Sequence, residues 1–292
     1  QMCIRDSYST TRITRGDGER ALLKNAWNAQ WSHNRYRLLY PATMGDAVWS
    51  MYDYNRGCCD NICYSGVADV FRLPKYSLHF FRTQVAPGTP GPDGLKTPEL
   101  FIASAWQQRP QGADTLVVFG NVDEVELFLN GQLLKRQGKD RGADTEYVRT
   151  YDGGNCRQLS FPPFTFTGVN WKAGTLKAVG YIGGKKVAET IVRTPEQPTR
   201  LDIGYFESGR PAGKRDLLIV NVRLEDKNGT LVPLNGKRID LQVAGGTVVG
   251  PGHYDTEAGI ASFLVATGEM GTLKLNASGE GLRSQKTVRL KD

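Results

Sequence analysis

One tryptophan and three polar residues form the most chemically informative group in this 292-residue sequence. Trp49 stands near the end of an apolar run at residues 47–51, and Asp53, Asn55 and Arg56 follow it. An indole can cover the apolar face of a ring-shaped ligand and donate one hydrogen bond, and polar groups beside it can bind hydroxyls. The alternatives are a core tryptophan in a buried strand and polar side chains that hold the loop after it.

Glutamates that could act as a general acid or base are scarce in the first part of the chain. Glu19 is the only glutamate before residue 85. It falls in the first turn of a predicted helix, where a negative charge interacts favourably with the helix dipole. We prefer this interpretation to a catalytic one.

The cysteines favour neither a metal site nor a disulfide framework. They are Cys3, Cys58, Cys59, Cys63 and Cys156. Three of them cluster, but structural zinc sites typically use two spaced pairs of Cys or His, and no second pair follows. Because an odd, irregular count does not suit a disulfide framework, we expect small buried or half-buried thiols.

Charge and hydropathy exclude two classes of partner. The net charge is +7, from 37 Lys and Arg against 30 Asp and Glu. The basic residues are spread along the chain and interleaved with acids, whereas a nucleic-acid binder concentrates them on one face. No apolar run approaches the roughly 18 residues of a membrane helix. We therefore predict no nucleic-acid partner and no membrane insertion. The oligomeric state and the compartment stay open.

The residues around Trp49 predict a helix, a buried strand, a long loop and a second helix within residues 1–84. Asp17 can cap the first helix. The apolar run at residues 47–51 predicts a parallel strand buried on both faces. Pro74 suits the first position of the second helix, where its missing N–H costs nothing. Together these elements are typical of an α/β barrel repeat.

Two β-sandwiches are predicted after a linker rich in proline and glycine at residues 85–98. The apolar period then changes to two, and Asn130-Gly131 suits a type I′ hairpin because both central residues need positive φ. Gly183-Gly184 is a second hairpin candidate. Short strands with turns at this spacing predict sandwiches at residues 99–195 and 196–292. The strands predicted in the second sandwich are residues 217–224, 238–243, 261–266 and 272–277.

Three aromatic residues and one acidic turn in the β-rich part have competing interpretations. Trp106, Trp171 and Tyr205 could form a carbohydrate-binding face, but isolated aromatics on predicted strands are more often core. The run from Asp226 to Gly229 weakly resembles a calcium-binding loop, but the other ligands of such a loop do not follow, and a hairpin turn explains the run.

Several segments resemble glycoside hydrolase family 2. Residues 45–57 (GDAVWSMYDYNRG) resemble its eighth barrel strand, and residues 65–69 (SGVAD) and 71–77 (FRLPKYS) resemble the strand exit and the last barrel helix. Residues 123–131 (DEVELFLNG) resemble the immunoglobulin-like domain after the barrel, and residues 198–292 resemble a further such domain. The resemblance implies a multidomain, mainly β chain. It would hold the C-terminal remnant of a (β/α)8 barrel followed by two immunoglobulin-like β-sandwiches.

The chemistry that this resemblance implies is retaining glycoside hydrolysis, which needs a carboxylic acid/base and a carboxylate nucleophile. In the family these are glutamates on the fourth and seventh barrel strands, so we expect both to lie upstream of this sequence. No catalytic residue is assigned here, and no cofactor or metal is implied. Trp49, Asp53, Asn55 and Arg56 are the expected substrate contacts, with Trp49 at the floor of a sugar subsite. Residues 1–7 resemble translated adapter sequence and are set aside as a foreign leader.

Two functions follow from these observations. The first is the C-terminal portion of a β-galactosidase-like enzyme that acts on an oligosaccharide or polysaccharide. The second is a non-catalytic protein of tandem immunoglobulin-like modules for carbohydrate binding or spacing. Residues 1–83 favour the first, because a pure sandwich protein does not need a buried parallel strand between helices. Since two barrel units cannot close a barrel, we expect residues 1–292 alone to be inactive and to bind a hydrophobic dye.

Overall fold

The computed structural model describes residues 13–55, 62–90, 98–110, 112–142, 155–206 and 211–291. The leader at residues 1–7, the candidate contact Arg56 and the cysteines Cys3, Cys58 and Cys59 lie outside these ranges. The described chain divides into two compact units, residues 1–194 and 195–292. The division into a barrel remnant, a linker and two sandwich domains stays a prediction.

Two helices form the N-terminal part of the first unit: α1 is Glu19–Leu38 and α2 is Tyr76–Arg82. Asp17 does not cap α1 as predicted, because its carboxylate accepts hydrogen bonds from the backbone and hydroxyl of Thr14 in the preceding 3-10 turn. Pro74 lies before α2 rather than at its first position, and Lys75 is the N-cap. Neither helix in the described part of the chain is long and apolar enough to cross a membrane.

The predicted buried strand at residues 47–51 is not formed. Val48, Trp49 and Met51 are exposed. The segment pairs at its end with residues 67 and 68: the Ser50 and Met51 carbonyls accept the N–H groups of Val67 and Ala68, and Tyr52 forms a parallel bridge with Ala68. A strand buried on both faces has its side chains covered on either side, whereas the side chains of Val48, Trp49 and Met51 are exposed. The segment instead runs along the surface into a short antiparallel pair, β1 (Tyr54–Asn55) and β2 (Ile62–Cys63).

The first sandwich has a three-stranded and a four-stranded antiparallel sheet, and its interior holds the apolar alternation that the sequence predicts. The hairpins at Asn130-Gly131 and Gly183-Gly184 are confirmed, and all four residues have positive φ. The strands are β3 (Leu100–Ile102), β4 (Leu116–Gly120), β5 (Glu124–Leu129), β6 (Gln132–Gly138), β7 (Phe164–Phe166), β8 (Thr175–Ile182) and β9 (Lys185–Arg193). The sheet orders are β3-β4-β7 and β6-β5-β8-β9.

The helices pack on the outer face of the three-stranded sheet. Every residue of β4 is buried: Leu116 and Val118 face the sandwich interior, while Val117 and Phe119 join a core with Ala26 of α1 and Phe80 of α2. A strand covered on both faces reads as a continuous apolar run, as LVVFG does. The helical segment and the first sandwich therefore share one core, and they form one unit.

The second unit is a sandwich of two four-stranded antiparallel sheets around a single apolar core. The four strands predicted from the sequence are confirmed to within a residue or two at their ends. The strands are β10 (Arg200–Tyr205), β11 (Leu217–Glu225), β12 (Arg238–Ala244), β13 (Gly246–Val249), β14 (His253–Asp255), β15 (Ile260–Thr267), β16 (Thr272–Gly279) and β17 (Leu282–Arg289). The sheet orders are β10-β11-β15-β13 and β14-β12-β16-β17.

Candidate functional site

Trp49 and Tyr54 form an exposed pair of perpendicular rings, here called the aromatic corner. The Trp49 side chain is 57% exposed, and its Nε1–H donates a hydrogen bond of 2.8 Å to the Tyr54 hydroxyl. The ring centroids lie 6.1 Å apart with an interplanar angle of 85°, the edge-to-face arrangement that aromatic pairs favour. The contact with Tyr54 therefore orients the Trp49 indole while most of the indole stays exposed to solvent.

A buried ion pair is formed by Asp53, the residue that precedes Tyr54 of the aromatic corner. Lys75 Nζ donates to Asp53 Oδ1 at 2.8 Å and to the Tyr64 carbonyl at 3.0 Å, and the Lys75 side chain is fully buried. Asp53 Oδ1 also accepts from the Gly66 N–H at 2.8 Å. Burial raises the pKa of the Asp53 carboxyl, while the bonds from Lys75 and Gly66 partly counteract that rise. These contacts join the start of the loop to its end.

Close backbone packing explains the glycine at position 66. A Cβ there would lie 2.2 Å from the Asp53 nitrogen and 2.5 Å from the Ala68 oxygen, which no side chain tolerates. Asp53 N–H donates to the Ala68 carbonyl at 3.0 Å, and Lys75 N–H donates to the Val67 carbonyl at 2.9 Å. The two ends of the loop are therefore held together by backbone contacts as well as by the ion pair.

A second buried ion pair fixes the far end of the loop. Arg15 Nε donates to Asp69 Oδ2 at 2.7 Å, and both side chains are only 8% exposed. Asp69 Oδ1 accepts the backbone N–H groups of Phe71 and Leu73. Because hydrogen bonds to a carboxylate from an arginine and from N–H groups are among the stronger ones in proteins, this arrangement anchors the turn that leads into α2.

Two further contacts near the corner were missed by sequence reasoning. His33 Nδ1 lies 2.8 Å and 3.0 Å from the Asp46 oxygens. The Arg72 guanidinium lies 3.8 Å from the centre of the Tyr52 ring, within the range of a cation–π interaction. No motif marks either pair, because their members are 13 and 20 positions apart.

The predicted substrate contacts occupy different environments. Trp49 is exposed, and Asn55 is an exposed residue of β1. Asp53 is 5% exposed and faces Lys75, which favours the interpretation that it holds the loop. Contact of any of these residues with substrate, including Arg56 outside the described ranges, stays a prediction.

Glu19 connects α1 to the first sandwich. Its Oε2 accepts hydrogen bonds from the Ser104 hydroxyl at 2.8 Å and the Ala105 N–H at 3.1 Å, and its Oε1 accepts from Arg109 at 2.7 Å. The acid therefore has a structural role beyond the predicted interaction with the helix dipole. Burial, with Glu19 nearby, raises the pKa of the Tyr76 hydroxyl.

The remaining chemical candidates are structural. Cys63 and Cys156 are buried, as expected, and burial raises the pKa of the Cys156 thiol to about 12. Trp106 is fully buried, and Trp171 and Tyr205 pack against the cores of their units, so the core interpretation is confirmed. Within the described ranges, no three His, Cys, Asp or Glu residues are grouped to hold a metal.

Asp226 forms a turn and not an ion site. Its Oδ1 accepts the N–H groups of Asn228 and Thr230, and its Oδ2 accepts the N–H of Glu196. Burial raises the pKa of this carboxyl, but these backbone hydrogen bonds outweigh burial and lower the pKa overall.

Comparison with known proteins shows what this chain is similar to. Residues 112–188 match a domain of unknown function, DUF4982. The chain is 31% identical over 268 residues to a β-galactosidase of Thermoanaerobacter pseudethanolicus, covering 86% of this chain and 34% of that protein. It is 27% identical over 215 residues to a putative β-glucuronidase of Formosa agariphila, covering 70% of this chain and 18% of that protein. The chain is glycoside hydrolase family 2-like.

Solved structures support the same fold. A family 2 β-glucuronidase superposes with a TM-score of 0.60 at 21% identity, covering 79% of this chain and 23% of that one. A β-glycosidase from Bacteroides vulgatus superposes with a TM-score of 0.68 at 18% identity, covering 89% of this chain and 32% of that one. The family 2-like chain thus spans about a third or less of the length of these relatives. The prediction of a mainly β chain built on sandwiches is confirmed.

Proposed function

We propose that the chain is the C-terminal portion of a retaining β-glycosidase of the β-galactosidase type, and that residues 13–90 supply part of its sugar pocket. The observation that carries the proposal is the 31% identity to a β-galactosidase over 86% of this chain. The aromatic corner supports it, because an exposed and immobilised indole is a surface on which a pyranose can stack.

In this proposal the chain shapes the pocket and other residues perform the chemistry. Two glutamates outside this sequence act as acid/base and nucleophile, and the glycosyl-enzyme intermediate is hydrolysed by water. Trp49 presents its ring to the sugar, and Asn55 and Arg56 offer hydrogen bonds to its hydroxyls. Asp53 acts through Lys75 and Gly66, holding the loop that carries these groups.

The first sandwich gives the pocket its rigid base. Its outer face shares a core with α1 and α2, and Glu19 receives hydrogen bonds from Ser104, Ala105 and Arg109. A site supported by helices and strands that pack into a core holds its geometry more precisely than a site formed by loops alone. The sandwich therefore contributes to activity indirectly, by fixing the helices that flank the loop.

The test is hydrolysis of p-nitrophenyl β-D-galactoside by two purified proteins: residues 1–292, and the product of the longer reading frame that contains them. We expect turnover by the longer protein and none by residues 1–292. p-Nitrophenyl β-D-glucuronide is assayed in parallel as the alternative substrate. Turnover by residues 1–292 would place the catalytic carboxylates inside this sequence. If the longer protein hydrolyses no β-glycoside, the tandem binding or spacer module becomes the better account.

A further inference from the structure

The Tyr54 hydroxyl occupies the polar edge of the aromatic corner. It accepts the Trp49 Nε1–H at 2.8 Å, so the only hydrogen-bond donor of the indole is already engaged within the protein. A tyrosine hydroxyl that accepts one hydrogen bond keeps its own O–H for donation. The Trp49 N–H is therefore engaged by Tyr54, and the group left to donate to a ligand at this edge is the Tyr54 O–H.

The geometry places this O–H where a stacked ring would need it. The two rings stand at 85°, and the hydroxyl lies beside the nitrogen edge of the indole. A pyranose that contacts the indole face at about 3.5–4.0 Å between carbons carries its equatorial hydroxyls outward, over the rim of the aromatic ring. The Tyr54 hydroxyl lies at that rim, within reach of a hydroxyl on that side.

The arrangement also strengthens the donor. Hydrogen bonds in a chain polarise one another, so a phenol that accepts an indole N–H donates more strongly to a third group. The backbone holds Tyr54 in place through its pairing with Cys63 in β1 and β2. The preceding residue, Asp53, is anchored by the Lys75 ion pair.

We propose that Tyr54 is a substrate-binding residue, whose hydroxyl relays the hydrogen bond from Trp49 Nε1–H to a hydroxyl of the pyranoside stacked on the indole. This rests on the proposed function. It separates the roles of the two rings: Trp49 binds through its face, and Tyr54 supplies the directional polar contact.

Tyr54→Phe tests the relay, because it keeps the ring and removes only the hydroxyl. The matched control is Tyr254→Phe, since Tyr254 lies in the second unit and packs its ring against Phe263. In the longer protein, kcat/KM for p-nitrophenyl β-D-galactoside should fall about 3- to 10-fold in Tyr54→Phe, the loss of one ordinary hydrogen bond. Tyr254→Phe should leave kcat/KM unchanged.

Deoxygenated substrates identify the partner hydroxyl. Among the monodeoxy β-D-galactosides, one should lose activity with the wild type and show no further loss with Tyr54→Phe, because the hydrogen bond is then already absent. In residues 1–292 the indole N–H resonance of Trp49, assigned by its loss in Trp49→Phe, should move in Tyr54→Phe. The other four indole resonances should stay in place.

The outcomes separate the two proposals. Absence of turnover by the longer protein would overturn the proposed function and this inference with it. Turnover by the wild type with an unchanged kcat/KM in Tyr54→Phe would overturn the inference alone. The inference also fails if the Trp49 resonance does not move in Tyr54→Phe, or if every deoxy substrate responds equally to the substitution.

Discussion

Replacement of Lys75 by methionine is expected to lower the free energy of unfolding of the first unit by about 3–5 kcal/mol near pH ~7. Methionine matches the length of the lysine stem but leaves the Asp53 carboxylate buried without its cationic partner. The Tyr64 carbonyl also loses its donor. An unpaired buried charge costs far more than the loss of a surface ion pair.

The pH dependence of this loss has a definite sign. Burial holds the folded pKa of Asp53 above its unfolded value. The stability that this carboxyl contributes is therefore fully present below the unfolded pKa and is lost as pH rises through the folded pKa. Removal of Lys75 raises the folded pKa further. We expect the deficit of Lys75→Met to be large at pH ~7 and to shrink as the pH falls, because protonation of Asp53 removes the unpaired buried charge.

Urea unfolding followed by tryptophan fluorescence measures this effect in the first unit alone, because all five tryptophans lie between positions 27 and 171. The control is the double variant Asp53→Asn with Lys75→Met. It removes both charges and keeps an acceptor for the Gly66 N–H, so it should be more stable than Lys75→Met. A Lys75→Met variant within about 1 kcal/mol of the wild type, a loss typical of a surface pair, would contradict the role of the ion pair.

Trp106→Ala is the second substitution with a large expected effect, about 3–5 kcal/mol of unfolding free energy in the first unit. The Trp106 side chain is fully buried in the sandwich core. Its Nε1–H donates to the Lys172 carbonyl at 3.1 Å, and its own carbonyl accepts the Trp171 Nε1–H at 3.1 Å. Truncation leaves a cavity and removes the donor of the Lys172 carbonyl.

The same fluorescence-detected unfolding checks this prediction with the four remaining tryptophans. Trp106→Phe is the control, since it retains much of the apolar volume and should lose clearly less stability than the alanine variant. If Trp106→Ala has the same urea midpoint of unfolding as the wild type, the indole does not stabilise the core, and that result would favour the interpretation that Trp106 belongs to a carbohydrate-binding face.

The two sandwiches could be predicted from sequence because their signals are local. Asn130-Gly131 and Gly183-Gly184 adopt positive φ wherever they occur as two-residue hairpin turns, and period-two alternation fixes which face is buried. The burial of both faces of β4 was not predicted. Val117 and Phe119 are covered by helices roughly 40 to 90 positions earlier in the sequence, and no local pattern specifies that cover.

The candidate site was predicted only in part, because its contacts are not local. Trp49 was singled out by its residue type, and Asp53 by its place after the apolar run. Lys75 was not singled out, since a lysine is almost never fully buried and its partner is 22 positions away. Tyr54 was passed over because the sequence does not show that its hydroxyl meets the Trp49 nitrogen.

The central claim is that residues 13–90 form part of a sugar pocket, and Trp49→Ala tests it most directly. The measurement is kcat/KM of the longer protein for p-nitrophenyl β-D-galactoside, with Phe206→Ala as a control at an exposed aromatic of the second unit. Loss of a stacking surface should lower kcat/KM by at least about tenfold, whereas the control should match the wild type. A Trp49→Ala enzyme with the kcat/KM of the wild type would contradict the claim.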